Sequence, residues 1–303
     1  MSTHIVHILQ HGSIIGVDRG CLTCKTPNQE EKRLPLSDIL AVIVAARGVC
    51  FSGDSLARLL QHDAVILHCN EKYQPIGKTI ALSHLVHIGT FESQIKCDDI
   101  LNAKLWHKLL FAKIQNQSFV LDLLGKPHKI KEYIATNSID EGNIARHYWS
   151  VFFSQFGRKA PKTREHQGAQ NPVNGMLNYA YAVLSSILHR SIIAHGLNPV
   201  LGIHHKYRFK SNPLVYDLIE PLRPLADLIL LHYHKEYPRR EIETFVRYAA
   251  KNLLGVRISF DGKKKFNLIS AIDVYISSIA NLYRFGDFKN IKIPTLTGVK
   301  FED

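Results

Sequence analysis

Cysteine and long apolar runs are scarce in this sequence of 303 residues. Its five cysteines are odd in number and lie in the first third of the chain. A disulfide framework would be denser, so we expect reduced thiols and a cytoplasmic location. No run of about 18 or more apolar residues occurs, which predicts that no helix spans a membrane. The first residues lack a basic segment followed by a long apolar core, so we expect no signal peptide.

Acidic residues are too few to balance the basic ones, and the imbalance is confined to one part of the chain. The formal net charge is +12. Residues 1–100 carry 9 Lys and Arg against 10 Asp and Glu, a net charge of −1, whereas residues 101–303 carry 29 against 16, a net charge of +13. A one-sided positive field favours a polyanionic partner such as nucleic acid. The alternative is a basic protein that uses its positive charge only for solubility and binds no nucleic acid.

Hydrophobic periodicity predicts an α+β protein with two domains. Short segments rich in Val and Ile, separated by Gly, Asn or Asp, predict strands at 4–9, 13–17, 21–25, 39–44 and 64–68. The capping residue Ser52, followed by an apolar stripe of leucines, predicts one short helix among them. We therefore expect an N-terminal, mainly β domain over residues 1–95.

From about Lys96 the apolar residues recur every three or four positions, which is typical of amphipathic or buried helices. The predicted helices span 100–115, 141–156, 173–189, 214–234, 241–253 and 271–283. We expect residues 96–303 to form a mainly α-helical domain, which carries the basic excess.

Glu141 opens one of these predicted helices and has two interpretations. Ser138 and Glu141 have the spacing of a capping box, in which the glutamate bonds to the backbone of the capping residue. Helical spacing also places Glu141 on the same face as Tyr148 and Phe152, the apolar side of the helix. A carboxylate turned toward an apolar face needs a cation or a metal ion as its partner. The segment alone leaves both interpretations open.

A second segment, 202–224, combines two carboxylates with a histidine. Asp217 and Glu220 are three residues apart, so their side chains project from one face of a predicted helix rich in leucine and isoleucine. His205 precedes them, and the prolines at 221 and 224 are expected to bend the helix just after Glu220. Pairing of these acids with an arginine such as Arg223 is the structural alternative to a metal site.

A mixed set of imidazole and carboxylate ligands suits Mn²⁺ or Mg²⁺ rather than a thiolate zinc site. Such an ion polarises a phosphodiester and stabilises charge on the attacking and leaving oxygens. In a domain with a net charge of +13, this chemistry indicates phosphodiester transfer or hydrolysis on a nucleic acid.

Three segments, taken in order, carry a resemblance to a known family. They are Glu141-Gly-Asn-Ile-Ala-Arg-His-Tyr-Trp149, Asn171-Pro-Val-Asn-Gly-Met-Leu-Asn178, and Gly202-Ile-His-His205 followed by Asp217-Leu-Ile-Glu220-Pro-Leu-Arg-Pro224. Together they resemble the universal CRISPR-associated adaptation endonuclease/integrase family, CRISPR-associated protein one. The layout, with a β domain before an α domain, is similar too, so the resemblance extends over nearly the whole chain.

The resemblance implies a metal centre with Mg²⁺ or Mn²⁺ as the cofactor. The metal-binding and catalytic residues of the family correspond to Glu141, His205 and Glu220. Asp217 matches a nearby acidic position that supports the site. His204 is the neighbour of His205, and the double histidine leaves open which imidazole binds the metal.

Other matching positions are expected to pack beside the metal centre or to contact DNA. Asn174 and Asn178 match a motif beside the active site, where we expect hydrogen bonding rather than metal contact. We expect contacts with DNA phosphates from basic residues of the helical domain. These are Arg146, Lys159, Lys162, Arg164, Arg239, Arg240, Lys263, Lys264 and Lys265.

As implied by the resemblance, the protein is a metal-dependent DNA endonuclease and integrase of CRISPR adaptation. The family forms a homodimer through the β domain, and a small companion adaptation protein bridges two dimers into a heterohexamer. This assembly binds a short duplex of captured foreign DNA, whose 3′-hydroxyls attack a phosphodiester at the repeat boundary of the CRISPR array. The compact 202–224 segment looks most like members of single-effector, type II-like systems.

Two other functions remain open from the residues themselves. The first is a non-catalytic nucleic-acid-binding subunit whose buried carboxylates pair with arginines. The second is a metallohydrolase for a small phosphorylated substrate, which predicts weak and salt-insensitive DNA binding. An integrase should instead lose DNA affinity steeply with salt, because DNA binding releases counterions.

Overall fold

The computed structural model describes residues 4–26, 29–70, 75–82, 88–136, 139–166, 168–208, 211–237, 241–260 and 265–300. The chain forms two compact units, Met1–His84 and Leu85–Asp303. The sequence predicted a boundary between residues 95 and 96, whereas the helix over Ile88–Ile95 belongs to the second unit. Gln94 of this helix explains the difference, because its amide group donates to the carbonyl oxygens of Asn198 and Leu201.

The first unit is mainly β, as the sequence predicted. Its elements are β1 (His4–Ile8), β2 (Ile14–Asp18), β3 (Cys21–Thr26), β4 (Gln29–Pro35), β5 (Ile39–Val44), β6 (Cys50–Phe51), α1 (Gly53–Gln61), β7 (Val65–Cys69) and β8 (Pro75–Thr79). The strands form two four-stranded sheets, with the orders β1-β5-β7-β8 and β4-β3-β2-β6.

Apolar runs and backbone pairing account for these strands. β5 lies between β1 and β7 and is parallel to both, and its consecutive residues Ala41, Val42 and Ile43 are buried, so both faces of the strand are covered. β4 was missing from the sequence prediction because Gln-Glu-Glu-Lys-Arg-Leu-Pro shows no apolar alternation. It is an edge strand that pairs with β3, which requires backbone groups rather than apolar side chains.

The second unit is mainly α-helical, as predicted. Its helices are α2 (Ile88–Ile95), α3 (Asp99–Asp122), α4 (Ile130–Ala135), α5 (Glu141–Phe153), α6 (Pro172–Ala194), α7 (Pro213–Leu218), α8 (Arg223–Glu236), α9 (Ile242–Gly255) and α10 (Leu268–Phe285). Strands β9 (Arg257–Ser259), β10 (Lys265–Asn267) and β11 (Thr295–Lys300) form an antiparallel sheet in the order β10-β9-β11. In the described part of the chain, no helix has the combination of length and apolarity needed to cross a bilayer.

The helix predicted over 214–234 is divided into three pieces. α7 ends at Leu218, a 3-10 turn covers Glu220–Leu222, and α8 begins at Arg223. Pro221 and Pro224 cause the interruption, because neither has an N–H to donate and each ring crowds the preceding turn. The break holds Glu220 at a corner between two helices.

Asn116 ties α3 to this corner. Its buried amide donates to the carbonyl oxygens of Pro221, at 2.8 Å, and Pro294, at 3.1 Å, while its own oxygen accepts from the amide of Leu296, at 2.9 Å. All three hydrogen bonds satisfy buried polar groups, so they hold α3 beside the 3-10 turn at Glu220–Leu222.

Candidate metal centre

The loop at residues 202–205 is folded around the carboxylate of Asp217. This side chain is fully buried and accepts hydrogen bonds from the backbone amides of Ile203, at 2.6 Å, His204, at 3.0 Å, and His205, at 3.2 Å. Its Oδ1 also lies 2.6 Å from Nδ1 of His205. A buried carboxylate is stable here because amide donors satisfy both of its oxygens.

The contact with Asp217 fixes the role of each nitrogen of the His205 ring. A carboxylate only accepts hydrogen bonds, so Nδ1 carries the proton and donates it to Oδ1. In a neutral ring this leaves the lone pair on Nε2 free to bind a metal ion, the arrangement in which a carboxylate orients a metal-binding histidine. About half of the His205 side chain is exposed, so Nε2 is accessible.

Trp106 distinguishes the two neighbouring histidines. The ring of His204 stacks on Trp106, with centroids 4.4 Å apart and planes 4° from parallel. The ring of His205 meets the same indole edge-on, at 5.7 Å and 89°. His204 is thus held flat against an aromatic face, whereas the ring of His205 is oriented by Asp217. The sequence left this choice open, and the geometry favours His205 as the ligand.

Gly202 allows the loop to approach α7. A Cβ at this position would overlap the carbonyl oxygen of His205, lie 2.7 Å from Cβ of Pro213 and lie 3.0 Å from Oδ2 of Asp217. Backbone and buried atoms cannot move aside, so we expect Gly202→Ala to destabilise the second unit by about 2–4 kcal/mol in a denaturant melt.

Gly89→Ala is the matched control for this substitution. Gly89 is exposed in α2, where alanine is favoured, and a Cβ added to it would meet no atom of the described residues within 4 Å. The free energy of unfolding of Gly89→Ala should equal that of the wild type or be slightly higher. Equal melts for the two variants would show that the 202–205 loop is not tightly packed.

Glu220 and Lys113 form the centre of the site. The Glu220 side chain is only 7% exposed; its Oε2 lies 2.7 Å from Nζ of Lys113, and its Oε1 lies 3.0 Å from Nε of Arg223. Burial opposes ionisation of Glu220, but the charges of Arg223 and Lys113 outweigh burial and hold the pKa of this carboxyl below its ordinary value.

Glu141 reaches the same lysine from a different helix. Its Oε1 lies 2.9 Å from Nζ of Lys113, and its side chain is 48% exposed, less enclosed than the apolar helix face suggested. The N-cap of α5 is Asp140, which accepts from the amide of Asn143, while Ser138 lies outside the described residues. Glu141 therefore does not serve as the cap. The Glu141 and Glu220 oxygens both lie within 2.9 Å of one nitrogen, so they are no farther apart than twice that distance.

The donor set at this point fits Mg²⁺ or Mn²⁺. Two carboxylate oxygens already converge on one positive charge, and the His205 ring is oriented by Asp217, three residues before Glu220. Among the residues described, no three His, Cys, Asp or Glu side chains meet as a preformed metal-binding cluster. The ammonium group of Lys113 contacts both of the carboxylates that an ion would join.

The two asparagines of the 171–178 segment bind Arg164. The guanidinium donates to Oδ1 of Asn174, at 3.2 Å, and of Asn178, at 2.6 Å, and the Asn174 amide group donates to the carbonyl of Thr163, at 3.0 Å. Arg164 also lies over the ring of Tyr181, 5.2 Å from its centroid, as Arg223 does. The asparagines thus hold the basic loop, residues 157–166, so that Arg164 and Arg223, which contacts Glu220, lie over the same tyrosine ring. These contacts are hydrogen bonds and ring contacts within the chain, and the phosphate contact of Arg164 stays a prediction.

Sequence reasoning missed a buried carboxylate, Asp227 of α8. The hydroxyls of Tyr148 and Tyr181 donate to it at 2.7 Å and 2.5 Å, joining α5, α6 and α8 behind the candidate metal centre. Burial raises the pKa of Asp227 to about 6. An acid in the apolar run Leu225-Ala-Asp-Leu-Ile-Leu-Leu231 was the available signal.

Asp227→Asn should change how stability depends on pH. The pKa is raised on folding from about 3.9, so this group stabilises the fold at low pH and the contribution disappears as pH rises through 6. Relative to the variant, the wild type should lose about 1 kcal/mol of unfolding free energy between about pH 5 and about pH 8. Urea melts of both proteins measure this difference, and a constant difference would contradict the assignment.

The remaining predicted DNA contacts fall at different places. Arg146 and Lys162 are exposed, and with Arg164 and Trp149 they line a cavity of about 440 Å³ between α5 and residues 160–164. Lys265 is exposed in β10. Four predicted contacts, Arg239, Arg240, Lys263 and Lys264, lie outside the described residues, as does the side chain of Lys159.

A basic helical unit in which two carboxylates and two cations meet, with a histidine oriented by a carboxylate on the same segment, is typical of enzymes that act on phosphodiesters. A family model described as CRISPR associated protein Cas1 matches residues 6–267. The chain therefore belongs to the Cas1 family, as the resemblance of its motifs indicated.

Individual relatives agree with this assignment. The chain is 29% identical over 300 residues to the CRISPR-associated endonuclease Cas1 of Neisseria meningitidis serogroup C (strain 8013), covering 97% of this chain and 96% of that protein. A casposase bound to integration product has a similar fold, with a TM-score of 0.75, 17% identity and coverage of 93% and 90% of the two chains. A Cas6-RT-Cas1–Cas2 complex contains a similar fold, with a TM-score of 0.73, 16% identity and coverage of 96% of this chain and 36% of that chain.

Proposed function

We propose that the protein is a metal-dependent DNA endonuclease and integrase of CRISPR adaptation. It inserts short foreign DNA fragments as new spacers, through attack of a DNA 3′-hydroxyl on a phosphodiester at the repeat boundary. The main observation behind this proposal is that the carboxylates of Glu141 and Glu220 both contact the ammonium group of Lys113. His205, oriented by Asp217, would be the third metal ligand. Membership of the Cas1 family supports the same chemistry.

Glu141, Glu220 and Nε2 of His205 would hold the ion, Mg²⁺ or Mn²⁺. The bound ion supplies positive charge for the attacking and leaving oxygens of a phosphodiester. The protein residues then have three tasks. Asp217 keeps the Nε2 lone pair of His205 available, the Arg164 network holds the basic loop in place, and the break at Pro221 presents Glu220. The nucleophile belongs to the DNA, so no serine or cysteine nucleophile is required.

DNA binding is assigned to the second unit. The excess positive charge lies in residues 101–303, and exposed Arg146 and Lys162 beside Trp149 offer phosphate contacts and an aromatic surface. The proposed ligands are the captured duplex and the CRISPR repeat. The similar casposase was solved with integration product, which supports DNA as the substrate.

The proposed assembly is a homodimer formed through the β unit, with two dimers bridged by a small companion adaptation protein. A similar fold in a complex that includes Cas2 supports such a companion. Type II-like ancestry, drawn from the compact 202–224 segment, stays a prediction.

A non-catalytic nucleic-acid-binding subunit is the second candidate, and one observation favours it. Glu220 lies within ion-pair distance of both Lys113 and Arg223, so its buried charge has positive neighbours without a metal ion. The two candidates differ in what a chelator does, because a purely structural ion pair does not depend on divalent ions.

Strand transfer on a half-integrated DNA substrate tests the proposed function. Purified protein should join a 3′-hydroxyl end to a repeat boundary in Mn²⁺ or Mg²⁺ and should lose this activity in EDTA. His205→Ala and Glu220→Ala should be inactive in both conditions. Activity that persists in EDTA, or in these variants, would contradict the assignment of the metal centre.

The salt dependence of DNA binding separates the integrase from a hydrolase of small phosphorylated substrates. Contacts with several phosphates should make the logarithm of the association constant fall steeply and linearly with the logarithm of salt concentration. A flat dependence would favour the small-substrate hydrolase.

A further inference from the structure

Lys113 is held in the candidate metal centre by its surroundings. Its side chain is only 12% exposed, and its Nζ lies 2.9 Å from Glu141 and 2.7 Å from Glu220. One helical turn further along α3, Asn116 anchors the helix to the backbone of Pro221, next to Glu220. The helix therefore has little freedom to withdraw the lysine from the site. An ammonium this enclosed is not an ordinary solvated surface charge.

The charges around Glu220 balance without any added ion. Glu141 and Glu220 contribute two negative charges, and Lys113 and Arg223 contribute two positive charges. Asp217 is already engaged by three backbone amides and by the His205 ring. An ion that bound the same two carboxylates would have to take them from the ammonium of Lys113. Ion binding at this site is therefore an exchange of one cation for another.

We propose that Lys113 is a catalytic residue that exchanges with the divalent ion and then contacts the scissile phosphate. Before the ion binds, the ammonium keeps Glu141 and Glu220 close together despite their like charges. After the exchange, α3 still holds Lys113 at the centre, and its freed N–H groups donate to a non-bridging oxygen of the phosphate. This inference rests on the proposed function. It adds the charge of Lys113 to that of the divalent ion as a second positive charge at the scissile phosphate.

In the transfer step, the oxygen of the attacking 3′-hydroxyl forms a bond to phosphorus as the bond to the leaving 3′-oxygen breaks. The proton of the attacking hydroxyl passes to solvent, and the leaving oxygen takes one from solvent. Lys113 transfers no proton. It offsets the negative charge that develops on the phosphate oxygens, the task that a second metal ion performs in two-metal nucleases.

This dual role predicts that ion affinity and activity change in opposite directions in Lys113→Met. Without the competing ammonium, the carboxylates should bind Mn²⁺ on the order of tenfold more tightly, because a nearby positive charge no longer repels the ion. Strand transfer in saturating Mn²⁺ should nevertheless fall by on the order of a hundredfold, since the transition state loses one charged donor. A residue that merely shaped the site would lower both quantities together.

Calorimetric titration of the full-length protein with Mn²⁺, paired with half-site strand transfer, tests this inference. Lys113→Gln repeats the test with a polar side chain and keeps it valid if the methionine variant does not fold. Lys104→Met is the matched control for ion binding, because Lys104 is an exposed lysine of the same helix and its loss should leave Mn²⁺ affinity unchanged. Glu220→Ala should lose both ion binding and transfer.

The outcomes separate this inference from the proposed function. Tighter Mn²⁺ binding with weaker transfer in both Lys113 variants supports the exchange. Weaker Mn²⁺ binding in both variants, or transfer at the wild-type rate, overturns it while leaving the metal-dependent function intact. A wild-type protein that neither binds Mn²⁺ nor transfers strands would overturn the proposed function, and this inference with it.

Discussion

Replacing Glu141 with alanine should abolish metal-dependent strand transfer and leave the protein folded. The Glu141 side chain is half-exposed, and Lys113 keeps its ion pair with Glu220 when Glu141 is removed, so the loss of stability should be less than about 1 kcal/mol. Loss of a metal ligand should lower the rate at least about a thousandfold. The ion stabilises the charge of the transition state by several kcal/mol, and about 1.4 kcal/mol of activation free energy corresponds to a tenfold change in rate. Transfer rates and thermal melts of the variant measure both effects.

Glu132→Ala provides the matched control for Glu141→Ala. Glu132 is an exposed carboxylate of α4, so its removal changes the net charge equally but should leave transfer at the wild-type rate. If Glu141→Ala were unfolded, the residue would be structural. If it were folded and fully active, Glu141 would not be a ligand.

Asp217→Ala should lower stability as well as strand transfer, because it removes the acceptor that organises the 202–205 loop. Three backbone amides and the His205 ring would lose their partner in a fully buried position. We expect a loss of about 3–5 kcal/mol of unfolding free energy, measured by urea melts. Strand transfer should also be lost, since the His205 ring would no longer be oriented.

Asp54→Ala is the control variant for Asp217→Ala. Asp54 makes an exposed ion pair with Arg58, at 3.4 Å, so its removal should change stability by less than about 1 kcal/mol. Equal melts for the two aspartate variants would contradict the role of Asp217 as the anchor of the loop.

Much of the fold was predictable because local patterns determine it. The apolar run of β5 predicted a central strand, and the cap at Ser52 predicted α1. β4 and α2 were missed for different reasons. The polar edge strand is held by backbone pairing, which leaves no apolar period in the sequence. In α2, Ile88, Phe91 and Ile95 do recur at spacings of three and four, but eight residues are too few for periodicity to separate a helix from a strand.

The site was predictable only where an unusual residue stands in an apolar segment. Asp217 and Glu220 stood out in this way, but Lys113 did not, because a lysine on a long helix has the same sequence signature whether it faces solvent or a carboxylate. Of the two interpretations left open for Glu141, the capping box with Ser138 as N-cap was wrong, since Asp140 is the N-cap and Glu141 is the first residue of α5. Which carboxylate pairs with Arg223 was also beyond the sequence: Glu220 does, while Asp217 binds the loop.

We propose that Glu141, His205 and Glu220 share one divalent ion. Crystals of the protein soaked in Mn²⁺ and measured for anomalous scattering test this directly. We expect one strong peak about 2 Å from Nε2 of His205 and from an oxygen of each glutamate. A peak elsewhere, or no peak at saturating Mn²⁺ with Lys113 still joining the two carboxylates, would contradict it.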